Sequence, residues 1–180
     1  TVSQSCSFYN NTVSGTSNGD AGMRVINSSD NDYCCNVFNK LEDGVIFSGD
    51  CDDTQFRQSR FTGPFSHGLR LGESTLTGQQ VHAGNLWEGT FSVFGAVHED
   101  PFEENIFASR FVVDPQDANG NTLPTIMAAS NNWFSVIPGV TPFCVTKPEC
   151  GIPLSSPEIS PSDLYITEGG NNNLRIRVLW

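Results

Sequence analysis

Apolar and polar positions alternate with a period of two over several short stretches of the chain, the spacing of strands that bury one face. Between residues 85 and 99, Phe91, Val93, Gly95 and Val97 fall on one side and Thr90, Ser92, Phe94 and Ala96 on the other. Residues 105 to 114 repeat the pattern, with Ile106, Ala108, Arg110 and Val112 opposing Phe107, Ser109, Phe111 and Val113. Phenylalanine on both faces points to burial on both sides. Leu174, Ile176, Val178 and Trp180 alternate in the same way with Arg175, Arg177 and Leu179. Shorter strands are expected over 22–27, 45–48, 123–129, 133–137 and 164–167. The run Pro115 to Gly120 has turn composition, so the strand ending near Val113 and the one after it are expected to form a hairpin. The stretch 30–44 is ambiguous. Tyr33, Val37 and Leu41 recur every four residues, Asp30 or Asp32 could cap and Gly44 could end a helix, and a β reading fits as well.

Eight or nine short strands between Gly, Pro and Asn loops, with at most one short helix, describe an all-β fold. The expected architecture is a single-domain β-sandwich of jelly-roll type, or a barrel, stapled by disulfides. A β-trefoil is the alternative, against which stands the absence of a threefold repeat. Residues 1–21, rich in Ser, Thr, Asn and Gly, read as a polar N-terminal arm of one domain spanning 1–180. The proline-rich stretch 151–161 reads as a loop over that domain, because the two strands beyond it are too short to fold alone.

Charge changes the picture of what such a domain can bind. Nine Lys and Arg stand against 20 Asp and Glu, a net charge of −11. Polyanions repel such a chain, so nucleic acid is not an expected partner, and no apolar run is long enough to span a bilayer. Six cysteines (Cys6, Cys34, Cys35, Cys51, Cys144 and Cys150) and the N-glycosylation sequons at Asn10 and Asn27 together point to a secreted, extracellular glycoprotein. A start lacking Met, basic and apolar leader features fits a mature segment. The short spacing makes Cys144–Cys150 the easiest bridge to close. The adjacent pair cannot bridge without strain, which leaves Cys6 and Cys51 to staple onto Cys34 and Cys35 in either of two ways. No histidine lies at metal-ligand spacing from these cysteines, and no cofactor or metal is expected.

Candidate chemistry is sparse. No serine sits where a histidine partner can be argued, and the acidic residues of 98–104 crowd a turn between strands. Glu88, beside Trp87, together with Glu99 and Glu103, would supply the paired carboxylates of an acid-active carbohydrate hydrolase. Asp114, Asp117, Asn119 and Asn121 could face calcium, but turns favour the same residues. Between Thr54 and Gly72 the local charge is positive. There Arg57, Arg60 and Arg70 are interleaved with Phe56, Phe61 and Phe65, types enriched at protein interfaces, although a core of phenylalanines with ion-paired arginines explains them equally. A second binding candidate is the loop 137–153, stiffened by Pro138, Pro142, Pro148 and Pro153, with Val145, Thr146 and Lys147 at its tip. Trp87, Trp133 and Trp180, near asparagines 131, 132 and 171 to 173, offer a glycan-binding alternative.

A mature start near a cysteine, three expected bridges and a polar, weakly charged surface resemble small secreted cysteine-rich proteins of the fungal-effector type. The resemblance spans the whole chain through its composition. It implies a virulence protein that acts by binding an extracellular partner, most concretely as an inhibitor of a host protease or other hydrolase through the loop 137–153 and the Arg/Phe segment.

Overall fold

Each short apolar stretch forms one side of a coil, and successive coils stack on one another. In the computed structural model the described residues are 7–16, 19–116 and 120–139, with the backbone course of two further strands. The first rung comprises β1 (Ser7–Tyr9), β2 (Thr12–Ser14) and β3 (Ala21–Ile26), and the second β4 (Asp32–Cys34), β5 (Val37–Asn39) and β6 (Asp43–Ser48). The third holds β7 (Gln55–Arg57), β8 (Arg60–Phe61) and β9 (Pro64–Leu71), and the fourth β10 (Gln80–Val81), β11 (Leu86–Trp87) and β12 (Thr90–His98). A single helical turn and a half, α1 (Glu103–Ala108), precedes β13 (Phe111–Val113) and β14 (Ile126–Met127) of the fifth rung, and β15 (Phe134–Val136) follows.

Every pairing between these rungs is parallel. One face stacks β1, β4 and β7, continued by β10, β13 and β15. A second stacks β2, β5, β8 and β11, and the third β3, β6, β9, β12 and β14. At the first rung the third face is extended by β16 (Asp163–Gly169), parallel to β3, and by β17 (Asn173–Leu179), antiparallel to β16. The architecture is a β-solenoid of about five turns.

Stacking in register brings like residues together. Met23, Val45, Leu69, Ala96 and Ile126 partner one another in sequence along the third face. Phe38 stacks on Phe61 and Phe61 on Trp87, each pair with centroids 5.5 Å apart, while Tyr33, Phe47 and Phe56 meet edge to face. These rings are almost wholly buried, and each contributes roughly 2 to 3 kcal/mol of hydrophobic stabilisation. Their bulk is accommodated by Gly22, Gly44, Gly68 and Gly95, one per rung. A Cβ on Gly44 would lie 2.5 Å from the Gly68 carbonyl oxygen and 2.6 Å from the Phe61 ring. The Trp87 indole donates to the Gly95 carbonyl at 2.9 Å across the space these glycines leave.

The corner after the first face is built from a left-handed residue followed by a buried polar one. Asn10, Cys35 and Gln58 have φ of 55°, 59° and 48°. Behind them Asn36 accepts from the Asn11 backbone and donates to the Phe8 carbonyl. Two rungs on, Asn85 accepts from the Ser59 backbone and donates to the Phe56 carbonyl. Each buried amide thus satisfies backbone groups of the rung before it.

The sandwich, barrel and trefoil expectations are overturned, because the strands belong to parallel stacked rungs. Within the expected polar arm, residues 7–14 form the first two strands. Residues 32–39 are two strands and no helix; of the four-residue recurrence Tyr33 and Leu41 are buried, one on a side and one at a corner, while Val37 is half-buried and its neighbour Phe38 takes the inward place. Among the described residues one helix occurs, α1, where the strand expected over 105–114 should begin, and only Phe111–Val113 of that stretch is β. No hairpin joins β13 to β14: β13 pairs with β10 and β15, and β14 with β12. The expected disulfide staple fails at Cys51, while the expectation that the adjacent pair does not bridge agrees with the structure. Cys51 is a free, buried thiol, and Cys34 and Cys35 have their sulfurs 3.8 Å apart, too far to be bonded to each other. Cys6, Cys144 and Cys150 lie outside the described residues.

Gly44→Val should lower unfolding free energy by about 2 kcal/mol or more, because the opposing atom is backbone and cannot step aside. Asn36→Leu should lose a similar amount by orphaning buried donors and acceptors. Urea unfolding checks both, and changes below about 0.5 kcal/mol would refute the ladder account.

Candidate functional site

At the corner between the second and third faces, the rungs leave an open groove of about 380 Å³. Thr16 comes from the first rung, Lys40, Leu41 and Glu42 from the second, Pro64, Phe65 and Ser66 from the third, and Thr90, Phe91 and Ser92 from the fourth. Its shape follows from bulges in the third face. The Ser66 and His67 N–H groups both donate to the Glu42 carbonyl, those of Glu42 and Asp43 both to Asp20, and the pairing of β12 shifts between Phe91 and Phe94. Buried Leu41 and Phe65 form the floor, with Phe91 half-buried beside them. Phe65 and Phe91 stack at 5.5 Å with planes 14° apart. The stacked pair gives the groove an aromatic, apolar side. Hydroxyls of Thr16, Ser66, Thr90 and Ser92 border it, each able to donate and accept.

Of the described sequence-predicted residues Phe65 lines this groove, and the others lie elsewhere. Phe56, Phe61 and Phe65 are core residues. Arg57 is bound to Asp32 by Nε at 3.2 Å and Nη2 at 2.5 Å, and Tyr9 donates to the same carboxylate. Asp32 raises the Arg57 pKa further, and burial followed by Asp32 raises that of Tyr9. Arg60 makes two bonds of 2.9 Å to Glu88. Arg70 holds Glu99 at 2.6 Å and approaches Asp43 at 3.6 Å, while Asp43 binds His67 Nδ1 at 2.9 Å. Burial works against the Arg70 charge, yet Glu99 and Asp43 keep its pKa above the ordinary value. The arginines therefore clamp neighbouring rungs together. Val145, Thr146 and Lys147 lie outside the described residues.

The carboxylates suggested for acid and base work are each engaged separately. Glu88 and Glu99 face arginines, and Glu103 accepts from Ser130 and Asn132. Trp87 and Trp133 are buried, their indoles donating to Gly95 and Ser109 carbonyls, and Trp180 lies outside the described residues. Asp114 and Asn121 serve turns, accepting from the Gln116 and Leu123 backbones, and Asp117 and Asn119 are not among the described residues. Among the described residues no cluster of three or more potential ligands could hold a metal ion. The spacing Gly15-Thr16-Ser17-Asn18-Gly19 matches a nucleophile elbow, but Ser17 and Asn18 lie outside the described residues. Asn10 and Asn27 are both exposed at corners, and the Asn27 carbonyl oxygen accepts from the Asp50 backbone.

One buried titratable group stands out. His98 occupies an inward position against the Trp133 ring, its Nδ1 accepting from the Asp100 N–H and its Nε2 without a partner. Burial lowers its pKa to about 4, against the opposing pull of Asp100 and Glu99. Asp100 itself is buried, which would raise its pKa, but the Phe102 N–H, the Asn105 amide and the Ser74 N–H outweigh this and lower it.

Apart from Phe65, the groove residues escaped sequence reading because they come from four separate rungs. A signal existed in the repeat Gly63-Pro64-Phe65-Ser66 and Gly89-Thr90-Phe91-Ser92, each followed within six residues by a ladder glycine, Gly68 or Gly95. Fold and groove together define a parallel β-solenoid with a laterally open corner cleft. No protein-family model matches the chain, and neither a curated protein nor a solved structure matches it.

Neutral His98 in the folded state means that protons bind the unfolded chain first, so stability falls as pH drops from about 6.5 towards 4. Between pH 7 and pH 5 this group should remove about 2 kcal/mol of unfolding free energy. His98→Leu should flatten that part of the profile in urea titrations; an unchanged slope would exclude His98 as the cause.

Proposed function

We propose that this chain is a secreted, non-enzymatic binding protein that takes a neutral glycan in the corner groove. The observation that carries the proposal is the groove itself, an apolar strip of Leu41, Phe65 and Phe91 bordered by four hydroxyl side chains across a parallel stack. An extended peptide binds most readily by adding to an exposed strand edge. Within the stack the main-chain groups are already paired between rungs, so a groove ligand must be recognised through side chains. A saccharide suits this, because it brings its own hydroxyl donors and acceptors together with apolar C–H faces. The cleft volume falls in the range of small-ligand sites. Lys40 and Glu42 contribute one charge of each sign, which favours neither a polyanion nor a polycation.

The inhibitor reading relied on the Arg/Phe segment and on a loop tip outside the described residues. The Arg and Phe members are engaged within the solenoid, so the groove is the better-supported site. The exposed sequon asparagines support secretion without touching the groove.

A glycan array followed by titration calorimetry tests the proposal. Binding to at least one neutral glycan is expected, weakened about tenfold or more by Phe91→Ala and by the double change Ser66→Ala with Ser92→Ala. Arg60→Ala, away from the groove, should leave affinity unchanged. Absence of any glycan signal, or affinity indifferent to the groove variants, would reject this function.

A further inference from the structure

The direction of the groove says what kind of glycan it would hold. Its lining comes from the corresponding corner of four successive rungs, so the cleft runs along the solenoid axis and crosses the strands. Strands in neighbouring rungs lie about 4.8 Å apart, so the three steps from Thr16 to Thr90–Ser92 span about 14 Å. The third and fourth rungs contribute the same sequence pattern, Gly-x-Phe-Ser, and place Phe65 beside Phe91 and Ser66 on the rung below Ser92. Equivalent groups recurring at the rung spacing form equivalent subsites. The first and second rungs differ, offering Thr16 and the charged pair Lys40 and Glu42. The groove is open along its side, and no part of its lining encloses a chain end.

We infer that the groove binds an internal stretch of a linear neutral polysaccharide, through subsites that follow the rungs, with an aromatic, hydroxyl-bordered end at the third and fourth rungs and a charged end at the second, where Lys40 and Glu42 flank Leu41. This rests on the glycan reading above and adds the polymer class and the polarity of its site. A monosaccharide or disaccharide would occupy only part of the cleft. Each further unit gains contacts until the chain spans all four rungs, after which added units lie outside.

The probes are length series, from two to six units, of cello-, xylo- and manno-oligosaccharides, measured by titration calorimetry on the intact chain. Affinity is expected to rise about tenfold or more from the shortest to the intermediate lengths of one series and then level off. Thr16→Phe, which crowds the first-rung end, should remove that gain while leaving the shortest ligand bound as before. Phe91→Ala should weaken every length. Thermal melting of both variants checks that they remain folded. Length-independent binding, or equal damage to short and long ligands by Thr16→Phe, would overturn the subsite inference while keeping the glycan reading. No binding of any length in the three series would overturn both.

Discussion

The parallel hydrogen-bonded step from one rung to the next is the interaction on which the remaining structure depends. Because each strand pairs in register with the equivalent strand of the neighbouring coil, a side chain meets its counterparts one rung above and one below. Chemistry must therefore repeat along each column. Rings stack on rings from Phe38 to Trp87, glycine opposes glycine from Gly22 to Gly95, and buried amides at Asn36 and Asn85 serve the backbone of the rung before. A change at one position is felt by the column and hardly by the opposite face, which makes stability close to a sum of neighbouring interfaces.

The same constraint organises charge. A net charge of −11 would strain a stack in which like positions lie roughly 5 Å apart. Part of it is offset between rungs, because Arg57, Arg60 and Arg70 are each set against carboxylates of adjacent rungs. The locally positive stretch from Thr54 to Gly72 belongs to the third rung, where it neutralises acids on both sides. Inward polar groups obey a stricter rule. Asn36, Asn85 and Asp100 all find partners, whereas His98 leaves one nitrogen bare and stays neutral.

The strand content was legible from alternation in the chain, since Met23, Val25, Val45 and Phe47 do face the interior in turn. The architecture was not, because partners along the third face are separated by 22, 24, 27 and 30 residues and no fixed period emerges. Turn composition at 115–120 could not distinguish a hairpin from a solenoid corner, because both demand Gly, Asn and Asp for the same backbone reasons. Short sides with one inward residue each also imitate a helical spacing, as at Tyr33 and Leu41. For the site, sequence reasoning favoured arginine and tryptophan, the residues with most interface character. Here they are absorbed by inter-rung ion pairs and by the core, and the groove draws on serine, threonine and phenylalanine, which announce nothing until the rungs align them.

The return of β16 to the edge of β3 ties residues 163–169 to residues 21–26. On a ribosome the early rungs emerge first and can stack locally, each on its predecessor, but the outer edge of the first rung waits for nearly the whole chain to be made. Synthesis therefore sets a delay between coiling and completion of the seven-stranded sheet. During that interval the edge of β3 is an unpaired template, and a neighbouring nascent chain could supply the missing strand as readily as the chain's own end.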